Sequence, residues 1–600
     1  MHCTRIDRRR WIQLAAACAL TPAGASTPQP FSRVRPSDAA WPSDAQWAAL
    51  AQQVGEALVP IRSPWAECIA QPDSAACTQR FKFPQNPYAI GDDPALTQTY
   101  GWVDAWVSSP SVRAVAARHA GDVVAAVNFA REHRLRLAVK GGGHSYLGTS
   151  NAADSLLVWT RRMNDIELHE AFVAQGCDAA PVRAVSVGAG AIWSQAYDAV
   201  TTRAGGYVQG GGCMTVGVAG LVQSGGFGSF SKAFGTAAGS LLQAEIVTAD
   251  GQLRIANACT NPDLHWALKG GGGGSFGVVT RMTLRVHPLP ERFGAVNFTV
   301  RASSDAAFRR LIGLVLDLCA GQLVNPHWGE QLRLLRSNAL NVAMVFQGLD
   351  RAQAQALWQP FLDALDAAPH DFSIDFSPLK IVTTSARDFW APSLVKRALG
   401  FMAQDDRAGA PSSHVFWPGD QAQAGQVLHA FHSGWLSSAL LEPSRRAALA
   451  DALFEATRHA GLSLHLNKGL AGAPREALDA ARDTAMNPAA LDAFALVICA
   501  AEGPPAYPGV RAHEPDVTLA RRNAQALRAA MDTLRRRVGL SGAYVSESDF
   551  FEAQWQQAYW GDHYERLLAV KDRYDPEGLF VVHHGVGSER WSADGFTRLR

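Results

Sequence analysis

Three observations predict an α+β fold with more than one domain. The chain has 600 residues, which is more than one simple core accommodates. Between residues 110 and 290, short apolar strands alternate with helices and glycine-rich loops. From residue 291 to 540, alanine-rich amphipathic helices alternate with strands, and such a mixture packs as an antiparallel sheet with helices on one face.

The predicted elements follow the hydrophobic periodicity of the chain. In the first half they are a helix from Asp44 to Leu58, a strand from Val112 to Ala117, a helix from Gly121, strands Leu135 to Val139, Leu156 to Thr160 and Ala184 to Val187, a helix from Ile192 to Ala204, strands Leu241 to Thr248 and Gln252 to Ile255 around an Asp250-Gly251 hairpin turn, a helix from Pro262 to Leu268, and a strand from Val278 to Val286. In the second half they are helices over 303–320, 351–367, 421–432, 443–458 and 517–537, with strands Leu340 to Phe346 and Ala493 to Ala500.

Composition and charge indicate a globular protein without a nucleic-acid partner. The chain is 48% hydrophobic and 18% charged, with a net charge of +1. A nearly neutral chain lacks the basic surface that nucleic acid or an anionic membrane attracts. Its 53 glycines are clustered, which favours ligand-binding loops over a flexible linker.

Residues 1–25 are typical of an export signal. Arg8 to Arg10 are basic, Trp11 to Leu20 are mostly apolar, and Ala23 to Ala25 provide small residues for cleavage. The segment Asp7 to Gln13 resembles a twin-arginine motif; a general secretory signal and an uncleaved anchor are the alternatives. We therefore expect a secreted or periplasmic protein with no transmembrane span in the mature chain.

Two glycine-rich loops, about seventy residues apart, each carry one nucleophilic side chain. The loop from Lys140 to Tyr146 contains His144, and the loop from Gly210 to Gly217 contains Cys213. Glycine lacks Cβ, so such loops can press close to a flat or anionic ligand. A neutral imidazole is nucleophilic, and exposed backbone N–H dipoles lower the pKa of a thiol. We predict that both side chains face a ligand; the alternatives are a histidine satisfied in a turn and a buried thiol.

At these residues the chain resembles the berberine-bridge-like flavin oxidases of the vanillyl-alcohol-oxidase superfamily. The resemblance extends from about Tyr88 to Trp591. In that family the histidine of a GGHS-type loop and the cysteine of a GGC-x-TVG loop are both bonded to the isoalloxazine ring of FAD. The resemblance implies that His144 takes the 8α position of the ring and that Cys213 takes the 6 position.

The resemblance also implies a two-domain fold of the PCMH type, with an antiparallel-sheet substrate domain covered by helices. The implied division is a signal peptide over 1–25, an N-terminal extension over 26–80, the first part of the FAD-binding domain over 81–290, the substrate-binding domain over 291–549, and a C-terminal segment over 550–600 that folds back to complete the FAD domain.

The cofactor-binding residues that the resemblance implies lie mostly in glycine loops. Besides His144 and Cys213 they are Lys140, Gly141, Gly142, Gly143, Ser145, Val216, Gly217, Gly220, Gly225, Gly272, Gly277 and Val279. Val216 matches the family position where valine accompanies oxygen access. This residue favours an oxidase that passes electrons to O₂.

The run from Gly273 to Gly277 also satisfies the GxSxG pattern of serine hydrolases around Ser275. That nucleophile elbow needs a strand before the serine and a helix after it. Here the predicted helix comes first and the predicted strand follows, so we reject the hydrolase. No P-loop occurs, and no GxGxxG lies between a strand and a helix with an acidic residue downstream, so a nicotinamide cofactor is unsupported.

The substrate side is predicted from a short C-terminal segment and one polar cluster. Tyr544 to Asp549 stands where the family carries a Tyr-x-Asn-(Glu/Tyr)-x-Asp segment near the flavin. Tyr544 is the leading candidate for the catalytic base and Glu547 is the other catalytic candidate, while Ser546 departs from the usual asparagine. The candidate substrate contacts are His465, Asn467 and Lys468, with His414, Trp417, Tyr146 and Trp193 as weaker ones. A structural role is the alternative for each.

The cysteines and histidines predict one disulfide and no metal site. Cys68 and Cys77 flank a short loop and form a natural disulfide in an oxidising compartment. The cysteines at 177, 259, 319 and 499 follow no pattern, so we expect buried thiols. His583 and His584 are adjacent, and neighbours on a strand point to opposite faces, so this pair does not predict a metal site.

Together these features predict an exported FAD-dependent oxidase. It would transfer a hydride from an alcohol or hemiacetal, within a carbohydrate or a secondary metabolite, to doubly attached FAD and then to O₂, producing hydrogen peroxide. The alternatives are a dehydrogenase of the same fold with another electron acceptor, and a flavoprotein that binds a ligand without turnover.

Overall fold

The computed structural model describes residues 31–82, 85–393 and 402–599. The predicted export signal lies outside these residues. Within the described part of the chain, no helix combines the length and the apolar character needed to cross a membrane.

The strands, numbered in chain order, belong to three main sheets and one small two-stranded sheet. They are β1 (Leu58–Pro60), β2 (Thr99–Trp102), β3 (Trp106–Val107), β4 (Arg113–Ala116), β5 (Arg136–Lys140), β6 (Ser155–Trp159), β7 (Ile166–Phe172), β8 (Val182–Gly188), β9 (Gly206–Val208), β10 (Leu241–Val247), β11 (Leu253–Asn257), β12 (Val278–Pro288), β13 (Arg292–Ala302), β14 (Trp328–Leu335), β15 (Ala339–Gln347), β16 (Phe372–Ser385), β17 (Ala403–Gln404), β18 (Val415–Phe416), β19 (Gln426–Ser437), β20 (Leu462–His465) and β21 (Ala493–Gly503).

The α-helices range from single turns to a long helix near the C-terminus. They are α1 (Asp44–Val54), α2 (Ala66–Ala70), α3 (Ala75–Arg80), α4 (Pro87–Gly91), α5 (Ala120–Glu132), α6 (Trp193–Tyr197), α7 (Val218–Gln223), α8 (Ser231–Phe234), α9 (Pro262–Leu268), α10 (Asp305–Leu318), α11 (Arg351–Asp366), α12 (Pro418–Gln423), α13 (Pro443–His459), α14 (Arg475–Arg482), α15 (Ala489–Asp492), α16 (Val517–Val538), α17 (Trp555–Trp560) and α18 (Tyr564–Tyr574).

Two smaller sheets position the glycine loops. One has the strand order β1-β4-β6-β5, and the other has the order β11-β10-β12-β8-β7 with β9 paired to β12. The first loop begins where β5 ends, because Lys140 is the last residue of that strand. The second loop lies between β9 and α7. Each loop is therefore anchored by a paired strand at its N-terminal end.

A sheet of nine strands supports the other half of the molecule, in the order β16-β13-β15-β14-β20-β21-β19-β2-β3. All of its strand pairs are antiparallel except one. Strand β2, which precedes the first glycine loop in the chain, pairs with β19 in parallel. Along β13, Val296 and Phe298 pack into the core with helices α10, α11, α13 and α16. The alternate residues Ala295 and Asn297 line a cavity. One face of the sheet is thus covered by helices, as predicted, and the other face borders the cavity.

Both ends of the described chain close over the glycine-rich half. The Nζ of Lys571 donates to the carbonyls of Ser275 and Phe580, at 2.6 and 2.5 Å. The guanidinium of Arg33 donates to the carbonyl of Gly578 at 2.5 Å, and the indole of Trp560 donates to the carbonyl of Gly270 at 2.9 Å. The tail therefore packs against the glycine run that precedes β12.

Most predicted elements are present, with ends within a few residues of the predicted ones. The prediction of a helix over 421–432 was wrong. That segment holds the end of α12 and the start of β19, whose residues are buried along nearly the whole strand. A strand covered on both faces has no alternating pattern and cannot be told from a helix by periodicity. Two helices also end early: α1 stops at Gly55, where φ is +56°, and α6 passes into a π-helical turn over Asp198–Arg203.

Two disulfides form between four of the described cysteines. The predicted Cys68–Cys77 bond is confirmed, and Cys319 and Cys499 are buried thiols as expected. The prediction for Cys177 and Cys259 was wrong, because they form a second disulfide. These residues are 82 positions apart and come together only because β7, β8, β10 and β11 share a sheet.

Removing each disulfide tests this arrangement. In the chain-entropy picture the stabilisation grows with the length of the closed loop. The loops close over 82 and 9 positions, so Cys177→Ser/Cys259→Ser should lower the free energy of unfolding by about 4 to 5 kcal/mol, and Cys68→Ser/Cys77→Ser by about 2 to 3 kcal/mol. Denaturant unfolding of the two variants and the parent protein measures both losses. Equal losses, or the reverse order, would contradict the expectation.

Candidate functional site

One cavity of about 670 Å³ collects the residue types that the sequence singled out. Its walls come from both glycine loops, the glycine run over 272–277, the open face of the nine-stranded sheet, and the segments 544–547 and 582–585. These segments are distant in sequence, so the cavity exists only in the folded chain.

The two glycine loops contact each other through their backbones. A Cβ on Gly142 would lie 2.6 Å from the backbone nitrogen of Gly217 and 3.0 Å from the carbonyl oxygen of Thr215. The Nε2 of His144 lies 3.0 Å from the Oγ1 of Thr215. As a result, His144 and Cys213 line the same cavity. A side chain at position 142 would force the loops apart.

Burial shifts the pKa values of the two nucleophiles in opposite directions. Burial lowers the pKa of His144 to about 3, so its imidazole is neutral and keeps a nucleophilic lone pair. Burial raises the pKa of Cys213 well above its usual value, and the neighbouring carboxylate of Asp420 raises it further. The predicted lowering of this pKa was therefore wrong, because desolvation and a nearby negative charge outweigh the dipoles of the loop.

The cavity offers what a flat, anionic cofactor needs. The backbone N–H groups of residues 141–145 have no acceptor among the described residues, and such consecutive donors suit a phosphate or a ring carbonyl. Gly212, Gly220 and Gly273 have open space where a Cβ would stand, which lets a ring lie against the backbone. The buried Oγ of Ser275 has no partner in the described part of the chain. These residues fit FAD.

Most residues predicted to contact the cofactor line this cavity. They are Gly141, Gly142, Gly143, His144, Ser145, Cys213, Val216, Gly217, Gly220, Gly272, Gly277 and Val279. Lys140 does not: its ammonium donates to the carbonyls of Pro94 and Leu96, at 2.5 and 3.0 Å. Gly225 also lies outside the lining and faces the side chain of Met486. Both residues shape the loops from outside the cavity.

The predicted polar cluster lines the opposite wall. His465 ends β20, and a 3₁₀ turn carries Asn467 and Lys468 into the cavity. Lys468 forms an ion pair with Glu547, with an N···O distance of 2.5 Å. The Nδ1 of His465 and the Oδ1 of Asn467 are buried and have no partner among the described residues. Two unpaired polar atoms beside an ion pair make a polar wall that is ready to bind a ligand.

The two candidate bases differ in their surroundings. The hydroxyl of Tyr544 accepts a hydrogen bond from the N–H of Gly226 at 3.2 Å, and burial together with Glu547 raises the pKa of the phenol. A phenolate at this position is therefore costly. The carboxylate of Glu547 also lines the cavity, and it is held by the ammonium of Lys468.

The weaker candidates divide between the cavity and the core. Tyr146 and Trp417 line the cavity. His414 does not; it stacks on Tyr88 with a centroid distance of 4.2 Å. Trp193 is fully buried in the core.

Sequence reasoning missed several residues at the site. Glu330 lines the cavity and adopts a φ of +70°, and Asp420 lies beside Cys213. His583 and His584 line the cavity together with rings stacked at 3.9 Å, so the expectation of opposite faces was wrong, because they lie in a turn. Among the described residues, no group of three or more histidine, cysteine or acidic side chains is placed to hold a metal ion.

The predicted order of elements around Ser275 is confirmed. Helix α9 precedes the serine and strand β12 follows it, which is the reverse of a nucleophile elbow.

Two family models match this chain. The FAD binding domain matches residues 112–257, which include the first glycine loop and Cys213. The berberine and berberine-like model matches residues 543–587, which include Tyr544, Glu547 and the histidine pair. The matched segments therefore contain both nucleophiles and both candidate bases.

Known proteins share the sequence and the fold. The FAD-linked oxidoreductase ZEB1 of Gibberella zeae is 30% identical over 508 residues, covering 80% of this chain and 76% of that protein. The VAO-type flavoprotein MtVAO615 from Myceliophthora thermophila C1 superposes with a TM-score of 0.74 at 26% identity, covering 94% of this chain and 99% of that one. The glucooligosaccharide oxidase from Acremonium strictum, described with a 6-S-cysteinyl, 8α-N1-histidyl FAD, has the same fold, with a TM-score of 0.61 at 19% identity and coverage of 88% and 99%.

The fold and the cavity define an FAD-dependent oxidoreductase. More particularly, the chain belongs to the berberine-bridge-like family of FAD-linked oxidoreductases within the vanillyl-alcohol-oxidase superfamily.

Replacing Gly142 tests the contact between the loops. The Cβ of Gly142→Ala would lie 2.6 Å from the nitrogen of Gly217, so we expect a loss of about 1 to 3 kcal/mol in the free energy of unfolding, as overpacking costs elsewhere, together with a lower flavin content. Gly313 is the matched control, because it lies in α10 and a Cβ there meets no atom within 4 Å. Denaturant unfolding and visible absorbance measure both quantities. A Gly142→Ala variant that is as stable as Gly313→Ala would contradict the proposed contact.

Proposed function

We propose that this chain is an exported oxidase whose FAD is bonded to both His144 and Cys213. It would oxidise an alcohol or hemiacetal and reduce O₂ to hydrogen peroxide. The observation that carries the proposal is the placement of an imidazole and a thiol, from loops about seventy residues apart in sequence, in the lining of one cavity. The doubly linked FAD named for the glucooligosaccharide oxidase supports it.

Bound FAD would supply the acceptor for a hydride from the substrate C–H bond. The residues of this chain then have to accept the hydroxyl proton and hold the substrate. We assign the proton to Glu547, because this residue lines the cavity and the ammonium of Lys468 holds its carboxylate at an N···O distance of 2.5 Å. Tyr544, the leading base in the sequence prediction, takes a hydrogen-bonding role in this proposal because its pKa is raised.

The opposite wall supports a hydroxyl-bearing substrate. The unpaired Nδ1 of His465 and Oδ1 of Asn467 are available to the hydroxyl groups of a ligand. Burial and the charge of Lys468 keep the pKa of His465 well below its usual value, so its ring is neutral and one nitrogen can accept. A carbohydrate presents several such hydroxyls; a polar secondary metabolite presents fewer.

One observation each supports O₂ as the electron acceptor and export of the protein. Val216 lines the cavity. The resemblance associates a valine at this position with oxygen access. Two disulfides in the described chain suit an oxidising compartment. A dehydrogenase of the same fold would reduce a dye while producing no hydrogen peroxide in air.

Mass spectrometry tests the double attachment. We expect the purified, denatured protein to retain flavin, seen as a fluorescent band after electrophoresis. His144→Ala and Cys213→Ala should each keep one bond, because the second nucleophile remains in the same cavity, and the double variant should release all flavin on denaturation. Flavin peptides that carry neither residue, or a colourless parent protein, would refute the attachment.

Matched variants decide between the two candidate bases. Glu547→Gln removes the proton acceptor but keeps the side-chain shape, so the rate of anaerobic flavin bleaching should fall about 10²- to 10⁴-fold, the range for general-base catalysis. Tyr544→Phe keeps the carboxylate and should have a much smaller effect. Stopped-flow absorbance with the most active member of a sugar and alcohol panel measures both rates. A larger loss for Tyr544→Phe would reverse the assignment.

A further inference from the structure

A short turn and helix lie directly over the second glycine loop. The indole Nε1 of Trp417 donates to the carbonyl of Gly212 at 2.9 Å. The Oδ2 of Asp420, in α12, accepts from the backbone N–H of Met214 at 3.0 Å and from that of Trp417 at 3.3 Å. The residues on both sides of Cys213 are therefore tied to one turn of the 417–420 segment.

These contacts bring the carboxylate of Asp420 against the thiol of Cys213. The side chain of Asp420 is 4% exposed, and its carboxylate and the thiol shift each other's pKa. Burial raises the pKa of Asp420 to about 6, while the N–H donors of Met214 and Trp417 oppose the rise. Near pH 7 the half-buried Cys213 is thus a protonated thiol beside the buried carboxylate of Asp420. Because the pKa of the thiol is raised, the sulfur needs a proton acceptor before it can bond to carbon.

The other titratable groups around the pair do not compete for this proton. Glu547 and Lys468 influence the pKa of the thiol only through their charges. The phenols of Tyr146 and Tyr197 are neutral, because burial raises their pKa values and the charge of Cys213 raises them further. Tyr88 faces Asp420 and is neutral for the same reason. Asp420 is the carboxylate that is hydrogen-bonded to the backbone next to the sulfur, through the N–H of Met214.

We propose that Asp420 orients the Cys213 thiol and accepts its proton when the sulfur bonds to the flavin ring. This inference rests on the proposed attachment at Cys213. In the overall change, one S–H bond and one ring C–H bond are replaced by one C–S bond, which releases two protons and two electrons. Asp420 takes the thiol proton; the electrons pass to the flavin ring and from there to dioxygen, which becomes hydrogen peroxide.

The substitution Asp420→Asn tests the proton transfer. The amide oxygen can still accept from the N–H groups of Met214 and Trp417, but the side chain takes up no proton. The protein is purified with its flavin, incubated in air at pH 6 to 10, and denatured with iodoacetamide at successive times. Peptide mass spectrometry gives the fraction of Cys213 that is alkylated, and in-gel fluorescence gives the flavin held through His144.

We expect Cys213 in the parent protein to be fully protected from alkylation. In Asp420→Asn, protection at pH 7 should form at least tenfold more slowly and speed up about tenfold per pH unit, because hydroxide then removes the thiol proton. The flavin held through His144 should remain. A loop that had merely shifted would not produce this pH dependence.

Two further variants separate proton transfer from structural effects. Asp420→Glu retains a carboxylate, so protection should recover with little dependence on pH even if the fit is poorer. Glu330→Gln removes another carboxylate that lines the cavity and should leave the protection complete. Thermal midpoints report on folding. Equal loss of protection in Asp420→Asn and Asp420→Glu, without a pH dependence, would show a structural role and overturn the proposal.

The outcomes also distinguish this inference from the proposed function. Full, pH-independent protection in Asp420→Asn would overturn the role of Asp420 and leave the double attachment intact. Alkylation of Cys213 in the parent protein would overturn both the sulfur bond and the role of Asp420.

Discussion

The contact between two glycine loops is the constraint on which the site depends. Gly142 and Gly217 touch through backbone atoms, at a separation that leaves no room for a side chain. The hydrogen bond between His144 and Thr215 joins the same two loops. Because each loop is anchored to a paired strand, this contact sets how far apart the imidazole and the thiol lie. The glycines thereby act as packing residues as well as flexible ones.

Buried charges hold the remaining walls around that contact. The ammonium groups of Lys140, Lys232 and Lys571 are each buried and each donate to backbone carbonyls of distant segments. Burial lowers the pKa of all three lysines, and the carbonyl oxygens offset the loss of water. Lys571 holds the C-terminal tail against the glycine run through the carbonyl of Ser275. Lys232 joins the glycine-rich half to the nine-stranded half through the carbonyl of Gly469. Burial in the walls of the cavity also explains the neutral histidine and the protonated thiol.

Local patterns were enough to predict the loops, most elements and the inverted order around Ser275. They failed where neighbours in space decided the outcome. Strand β19 was mistaken for a helix because both of its faces are buried. The Cys177–Cys259 bond depends on the order of strands in a sheet. The ammonium of Lys140 was expected to contact the cofactor, but it donates to the carbonyl of Pro94. Burial raised the pKa of Cys213, and Asp420, more than two hundred residues away in sequence, raised it further.

By itself the sequence determined the family, the cofactor class and the two glycine loops, because these depend on residue types at short spacings that a folded backbone must accommodate locally. Tertiary structure alone decided which side chains share the cavity, that Lys468 pairs with Glu547, and that the carboxylate of Asp420 lies beside the second glycine loop. Such properties depend on desolvation and on charges brought together by long-range packing. No short stretch of sequence contains that information.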